Sequence, residues 1–404
     1  MLLLDADRLI DGAADFALVR GQLRIDGDRI VAVAPSGSAD GGDGGASGDR
    51  RGGARPGDVR ISLPGCTLLP GLIDFHTHAG IDTRHAGLSA QAHAPQPIAT
   101  GDAVGRLQDD LRSGVTTARL CGDIGGLDLR LRAEIDAGRV VGPRLFVAGR
   151  AMRSPRGGGG AIASVLTDDP DDIAHAVRAN LADGADLIKL FVSDGVGDPS
   201  RDPTACYYGE AHVAAATRHA HEAGRAVAAH LLGGPGVAEA IRGGLDVIEH
   251  GWFLSDADLD LAARHGTLIT LTLGVLCGPD TRAFGGIPAE DARLLELGER
   301  ACDTARKVIA RGMRYVVGTD AVHGHLADEV RWLVALGETP VRAIQAATAR
   351  PAQALGMAQR LGTLEPGKTA DVIAVEGDPL ADISTLRRIR LVVRAGRIVH
   401  GRAA

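Results

Sequence analysis

Little in this 404-residue chain marks it for a specialised class. Aromatic residues make up 3% of it, in an otherwise ordinary globular composition rich in Ala, Gly and Leu. Its five cysteines (Cys66, Cys121, Cys206, Cys277 and Cys302) are scattered, odd in number and without a Cys-x-x-Cys pair. That spacing does not describe a disulfide framework or a thiolate zinc site, and a reducing cytoplasm is the default expectation. No run of about 18 apolar residues occurs, so no membrane-spanning helix is expected. The formal net charge is -7, which leaves no basic footprint for nucleic acid or an anionic membrane. Met1-Leu2-Leu3-Leu4 is interrupted at once by Asp5 and Asp7, unlike a secretory signal. The length suits one large domain with a minor one.

What is present is a pattern of short strands followed by alternation. Gln22 to Val33 alternates in strand fashion, with Gly27-Asp28 where a tight hairpin turn belongs. Residues 36–58 are a Gly, Asp, Ser and Arg segment that cannot bury a core and is expected to be a flexible loop. Beyond it, strand patterns end at Thr77-His78, Cys121, Ala148, Val192, His230, His250, Thr272 and Thr319. Helical patterns lie between most of them, as at Ile173–Ala182, Glu210–Ala223, Gly236–Gly243 and Leu294–Arg311. Eight strands alternating with helices predict an α/β fold, a parallel (β/α)8 TIM barrel. The last fifty residues return to strands, so both termini are expected to meet in one small β-sandwich domain. The expected boundaries are 1–69 and 355–404 for that domain and 70–354 for the barrel.

Chemistry in such barrels sits at the strand ends. There stand His76 and His78, Lys189, His230, His250 and Asp320. His76 and His78 are two apart, so in an extended strand both imidazoles face one spot. Any one of these residues alone would be unremarkable: a surface histidine pair, a core histidine, a helix cap. Lys189 is harder to dismiss, because it lies inside Leu187-Ile188-Lys189-Leu190-Phe191-Val192. An unpaired ammonium there costs several kcal/mol of desolvation. A neutral lysine amine can add carbon dioxide and become a carbamate, an anionic oxygen ligand able to bridge two metal ions. All six types bind hard or borderline divalent metals, and the nitrogen and oxygen set without thiolate suits zinc first.

Leu69-Pro70-Gly71-Leu72-Ile73-Asp74-Phe75-His76-Thr77-His78, Lys189, His230, Ile248-Glu249-His250-Gly251 and Gly318-Thr319-Asp320 together resemble the amidohydrolase superfamily. Leu361-Gly362-Thr363-Leu364-Glu365-Pro366-Gly367-Lys368-Thr369-Ala370-Asp371 and Gly377-Asp378-Pro379-Leu380 resemble its C-terminal pattern. The likeness spans nearly the whole chain and is nearest to the branch of imidazolonepropionase-like enzymes and Xaa-Pro dipeptidases. It implies that His76, His78 and Asp320 hold one metal ion, that His230 and His250 hold a second, and that carboxylated Lys189 bridges them. It further implies attack by a metal-bridging hydroxide, with Asp320 taking its proton and passing it to the leaving nitrogen. Glu249, next to His250, is expected to point to the opposite face.

Loops after the strands supply the candidate substrate contacts: Arg153 and Arg156 in a glycine-rich segment, Tyr207 and Tyr208, and His323, with His325 behind it. His219 and His221 are assigned to a solvated helix face. The reading is a hydrolase of an amide bond in a small molecule, a dipeptide or N-acyl amino acid first and a cyclic amide second. A noncatalytic scaffold relative is the reading from another class, and such relatives should have lost metal ligands. No nucleic-acid or membrane partner is expected, and association into a homo-oligomer is.

Overall fold

The computed structural model describes residues 1–13, 17–35, 58–85, 91, 96–157, 162–277 and 291–401. The glycine-rich stretch 36–57 lies outside the described residues, as does part of the segment after Arg156. Before the opening histidine pair run β1 (Leu2–Ile10), β2 (Ala17–Asp26), β3 (Arg29–Pro35) and β4 (Val59–Pro70). The alternating region carries β5 (Leu72–Thr77), β6 (Val115–Leu120), β7 (Arg144–Val147), β8 (Met152–Arg153), β9 (Val165–Leu166) and β10 (Leu187–Phe191). It continues with β11 (Ala226–Gly233), β12 (Val247–Phe253), β13 (Leu268–Leu271) and β14 (Tyr315–Val317). The chain closes with β15 (Val372–Glu376), β16 (Ile389–Arg394) and β17 (Arg397–His400).

Two compact units divide the chain, Met1–Leu72 with Pro340–Ala404, and Ile73–Thr339. In the first, strands from both ends of the sequence form one seven-stranded sheet in the order β17-β16-β15-β4-β1-β2-β3. Its core is aliphatic: Leu4, Leu9, Leu23, Ile25, Ile61, Leu68, Val372 and Leu391 are buried together. The β2–β3 hairpin turns at Gly27, whose φ of 56° favours a residue without Cβ. The strand pattern 59–63 does not stop at Pro64-Gly65. β4 runs through it because its partner β1 shifts register between Ala6 and Arg8, and Asp7 accepts the Gly65 amide at 2.8 Å.

The second unit is the α/β barrel. β5-β6-β7 form one sheet and β14-β13-β12-β11-β10-β8-β9 the other. β5, β6 and β10 are buried at every residue, as strands sandwiched between barrel interior and helices must be. Pairing is parallel, and Phe191, His230 and Glu249 stand side by side across β10, β11 and β12. The two sheets meet where the Asp320 amide donates to the His76 carbonyl (2.8 Å) and the Asp186 amide to that of Val147 (2.8 Å). A Cβ at Gly318 would run into the His76 backbone, so glycine is what lets β14 approach β5. Helices Pro170–Ala182, Glu210–Glu222, Gly236–Arg242 and Ala292–Ala310 fall within a few residues of the predicted ones. Among the described residues no helix is long and apolar enough to cross a membrane.

Candidate metal centre

Four imidazoles form one continuous cluster at the strand ends. Ring centroids of His76 and His78 are 5.2 Å apart, of His76 and His250 4.7 Å, and of His230 and His250 4.6 Å. Asp320 Oδ1 lies 3.3 Å from His76 Nε2 and 3.5 Å from His78 Nε2, and Oδ2 lies 3.9 Å from His250 Nδ1. His76, His78 and Asp320 offer ligand atoms within 4.8 Å of one another. Lys189 is fully buried, and its Nζ has no hydrogen-bond partner in the structure. The same holds for His76 Nε2.

Each ring has one nitrogen tied down by the protein. His76 Nδ1 pairs with Glu249 Oε2 (2.6 Å), His78 Nδ1 with the Gly122 carbonyl (2.8 Å) and His230 Nε2 with the Asp194 carbonyl (2.8 Å). His250 Nδ1 pairs with Thr272 Oγ1 at 2.8 Å. A carbonyl or carboxylate only accepts, so the bonded nitrogen of His76, His78 and His230 must carry the hydrogen, and in a neutral ring the opposite nitrogen keeps its lone pair. This is how metal-binding histidines are oriented.

The charges agree for three of the rings. Burial, helped by His76, lowers His78 to about 3; burial, helped by Lys189, lowers His230 to about 4. Burial also takes His250 well below the usual imidazole range. Neutral rings are what a metal requires. His76 goes the other way: burial lowers it, but Cys121, Glu249 and Asp320 around it raise it well above the ordinary value. Burial raises Asp320, yet His250, His76 and His78 hold it well below the carboxylate range.

The supports behind the rings differ from expectation at one point. Glu249 does not face away from the site. It is fully buried beneath His76 and accepts a short ion pair from Arg119, whose Nε reaches the Phe75 carbonyl at 2.6 Å. The reason is local: His250 has φ of 72°, so alternation breaks between Glu249 and His250, and both serve the interior. Asp320 and the following Ala321 are also left-handed, with φ of 52° and 62°. Asp74 braces this end of the barrel, accepting the Thr319 hydroxyl at 2.6 Å and the amides of His76 and Thr319 at 3.1 Å.

The candidate substrate contacts have protein partners in this structure. Tyr208 is buried, donates to the Thr167 carbonyl (2.8 Å) and stacks on His212. Tyr207 donates to Asp194 Oδ2 (3.0 Å) and accepts from Arg201 (2.7 Å), so it steadies the residue whose carbonyl holds His230. Arg156 pairs with Asp168 on the surface at 3.1 Å, and Arg153 donates to the Gly157 carbonyl. His323 is buried with both nitrogens engaged, by Asp110 Oδ2 (2.8 Å) and the Ile81 carbonyl (3.0 Å). His323 has both ring nitrogens engaged, and the buried Tyr208 hydroxyl has spent its one hydrogen on Thr167. His325 pairs with Asp328 and Arg84, and His219 and His221 with Glu222 and Asp246.

Comparison with known proteins identifies the family. Ochratoxinase of Aspergillus niger is 27% identical over 366 residues, covering 83% of this chain and 76% of that one. Imidazolonepropionase of Salinispora arenicola is 27% identical over 357 residues, 80% of each. A crystal structure of a Xaa-Pro dipeptidase with methionine in its active site is 30% identical, with TM-score 0.84, covering 99% of this chain and 100% of that one. Residues 67–399 match the amidohydrolase family model. With that span and those relatives, the chain belongs to the amidohydrolase family and is a hydrolase acting on carbon–nitrogen bonds.

Proposed function

We propose that the chain is a binuclear metal-dependent hydrolase of an amide bond in a small molecule, a dipeptide or an N-acyl amino acid. The observation that carries this reading is the convergence of four singly tethered imidazoles with Asp320 and a buried lysine amine that has no partner. His76, His78 and Asp320 would hold one ion, His230 and His250 the other, with zinc first by ligand chemistry. A carbamate on Lys189 would put anionic oxygen between them. Divalent ions bound there supply Lewis acidity and lower the pKa of coordinated water.

The remaining work falls to the chain itself. Glu249, Gly122, Asp194 and Thr272 hold the rings in single orientations. The Asp320 side chain is 15% exposed, against 1% for His76 and His250, so it is the acidic group of the cluster that a substrate can reach. It would accept a proton from the attacking water and deliver it to the leaving nitrogen. The likeness to a Xaa-Pro dipeptidase supports a peptide-like substrate, and that to imidazolonepropionase supports a cyclic amide as the second reading.

Metal analysis and a substrate screen test this together. Two equivalents per chain are expected, with Lys189→Ala inactive and rescued by small carboxylic acids. One equivalent together with a fully active Lys189→Ala would sink the bridged site. A library of dipeptides, N-acyl amino acids and cyclic amides separates the two substrate readings by which class is turned over.

A further inference from the structure

Outside the cluster, the fold brings together two side chains that the sequence holds 25 residues apart. Cys277 Sγ and Cys302 Sγ are 2.9 Å from each other, and neither forms a disulfide in this structure. Cys277 Sγ also lies 3.5 Å from the Gly298 carbonyl oxygen, whereas the other three cysteines have no sulfur beside them and face Pro64 O (Cys66, 3.7 Å), Glu249 Oε1 (Cys121, 4.0 Å) and Thr204 O (Cys206, 3.3 Å) among the described residues.

Both sulfurs ride on anchored elements. Cys277 ends the short helix Gly274–Cys277, at whose start Glu329 accepts the Leu273 and Gly274 amides at 2.8 and 2.6 Å. Cys302 lies in the helix Ala292–Ala310, capped by Asp291 on the amides of Arg293 and Leu294. Gly298 lets the two helices touch, since a Cβ there would sit 3.0 Å from the Leu276 carbonyl oxygen. Closing the sulfur gap from 2.9 Å to the bonded length of about 2.05 Å takes about 0.9 Å of movement. Access is present too. A cavity of about 450 Å³ is lined by both cysteines with Glu299, Asp303, Arg306 and Trp332. Structural core cysteines, by contrast, are inert for want of access.

We propose that Cys277 and Cys302 are a redox-active dithiol that closes into a reversible intrachain disulfide by exchange with a small-molecule disulfide of the glutathione class. Cys302, at 9% exposure the more open of the two against 4% for Cys277, reacts first. Its sulfur bonds to one sulfur of the small disulfide, that S–S bond breaks, and one small thiol leaves with the displaced electron pair and the Cys302 proton. Cys277 sulfur then bonds to Cys302 sulfur and expels the second small thiol, which takes the Cys277 proton. Two protein thiols are oxidised and one small disulfide is reduced to two thiols.

The test uses the reduced full-length protein equilibrated under native conditions with oxidised glutathione, alkylated, and digested without reductant. A linked peptide containing Cys277 and Cys302 is expected, with two of the five thiols lost and both restored by dithiothreitol. Cys277→Ser should stop at a stable glutathione adduct on Cys302. Five alkylatable thiols after equilibration of the native protein, or an adduct on wild-type Cys302 that never resolves, would overturn the proposal.

Discussion

Behind His76 the barrel holds a buried carboxylate and a guanidinium; behind His230 and His250 it holds a backbone carbonyl and a hydroxyl. The first support is charged, fully enclosed and fixed by three residues in series, His76, Glu249 and Arg119. The second is neutral, and His230 itself is only partly buried. The difference separates two jobs. A charged pair sealed from water holds one ring rigid, and losing one partner leaves an uncompensated buried charge that costs about 3–5 kcal/mol. A neutral hydrogen bond is worth about 1 kcal/mol, so the side nearer solvent can be adjusted at small expense. One half of the cluster is built to stay put and the other to face what arrives.

The sharpest way to probe the comparison is at the residue both halves share. Asp320→Asn should lower kcat by about 10²–10⁴-fold with the fold intact by circular dichroism. Normal turnover by the metal-loaded variant would remove Asp320 from proton transfer. Next, Glu249→Gln should weaken metal binding by about 10–100-fold and lower stability by several kcal/mol, read by metal titration and denaturant melting. Thr272→Val tests the neutral side and should show a smaller loss, about 1 kcal/mol in stability. Should Thr272→Val prove as damaging as Glu249→Gln, the contrast between the halves fails.

A separate effect concerns pH. The acidic layering continues outward from His78: Asp123 accepts the Ala79 and Gly80 amides at 3.1 and 2.8 Å. Burial first, and then Asp123, raises Asp128 from 3.8 to about 8. Between those values the folded protein keeps a proton that the unfolded chain has released, so stability falls as pH rises through that window. The depressed pKa values of His78 and His230 work the other way below the ordinary imidazole range, so the Asp128 contribution is read as a difference between two metal-free proteins. From pH 5 to pH 8 the wild type should lose melting temperature relative to Asp128→Asn; an equal pH dependence in the two would contradict it.

Much of this was legible in the sequence because barrel chemistry collects at strand ends and periodicity locates those ends. The same logic misread Glu249, since strand alternation assumes extended backbone and His250 departs from it. Arg119 carried a usable signal. It sits in Val115-Thr116-Thr117-Ala118-Arg119-Leu120 as Lys189 sits among its apolar neighbours, and a charge inside a buried strand needs a partner. The carbonyls of Gly122 and Asp194 carried none, because every residue has one and only the fold aims it. For the loop tyrosines and His323 the sequence shows only nearness to strand ends; the neighbours that engage their hydroxyls and ring nitrogens come from the tertiary structure.

His250 and Asp320 adopt a backbone shape that side-chain-bearing residues avoid, at about 1–3 kcal/mol each. Two of the six clustered residues are therefore ones the barrel would fold more easily without. Selection for thermal stability alone, in the laboratory or in drift, would erode these positions before it touched the aliphatic core. The strain is carried by two residues of the candidate metal centre, so a stabilised variant of this chain should be checked at His250 and Asp320 first.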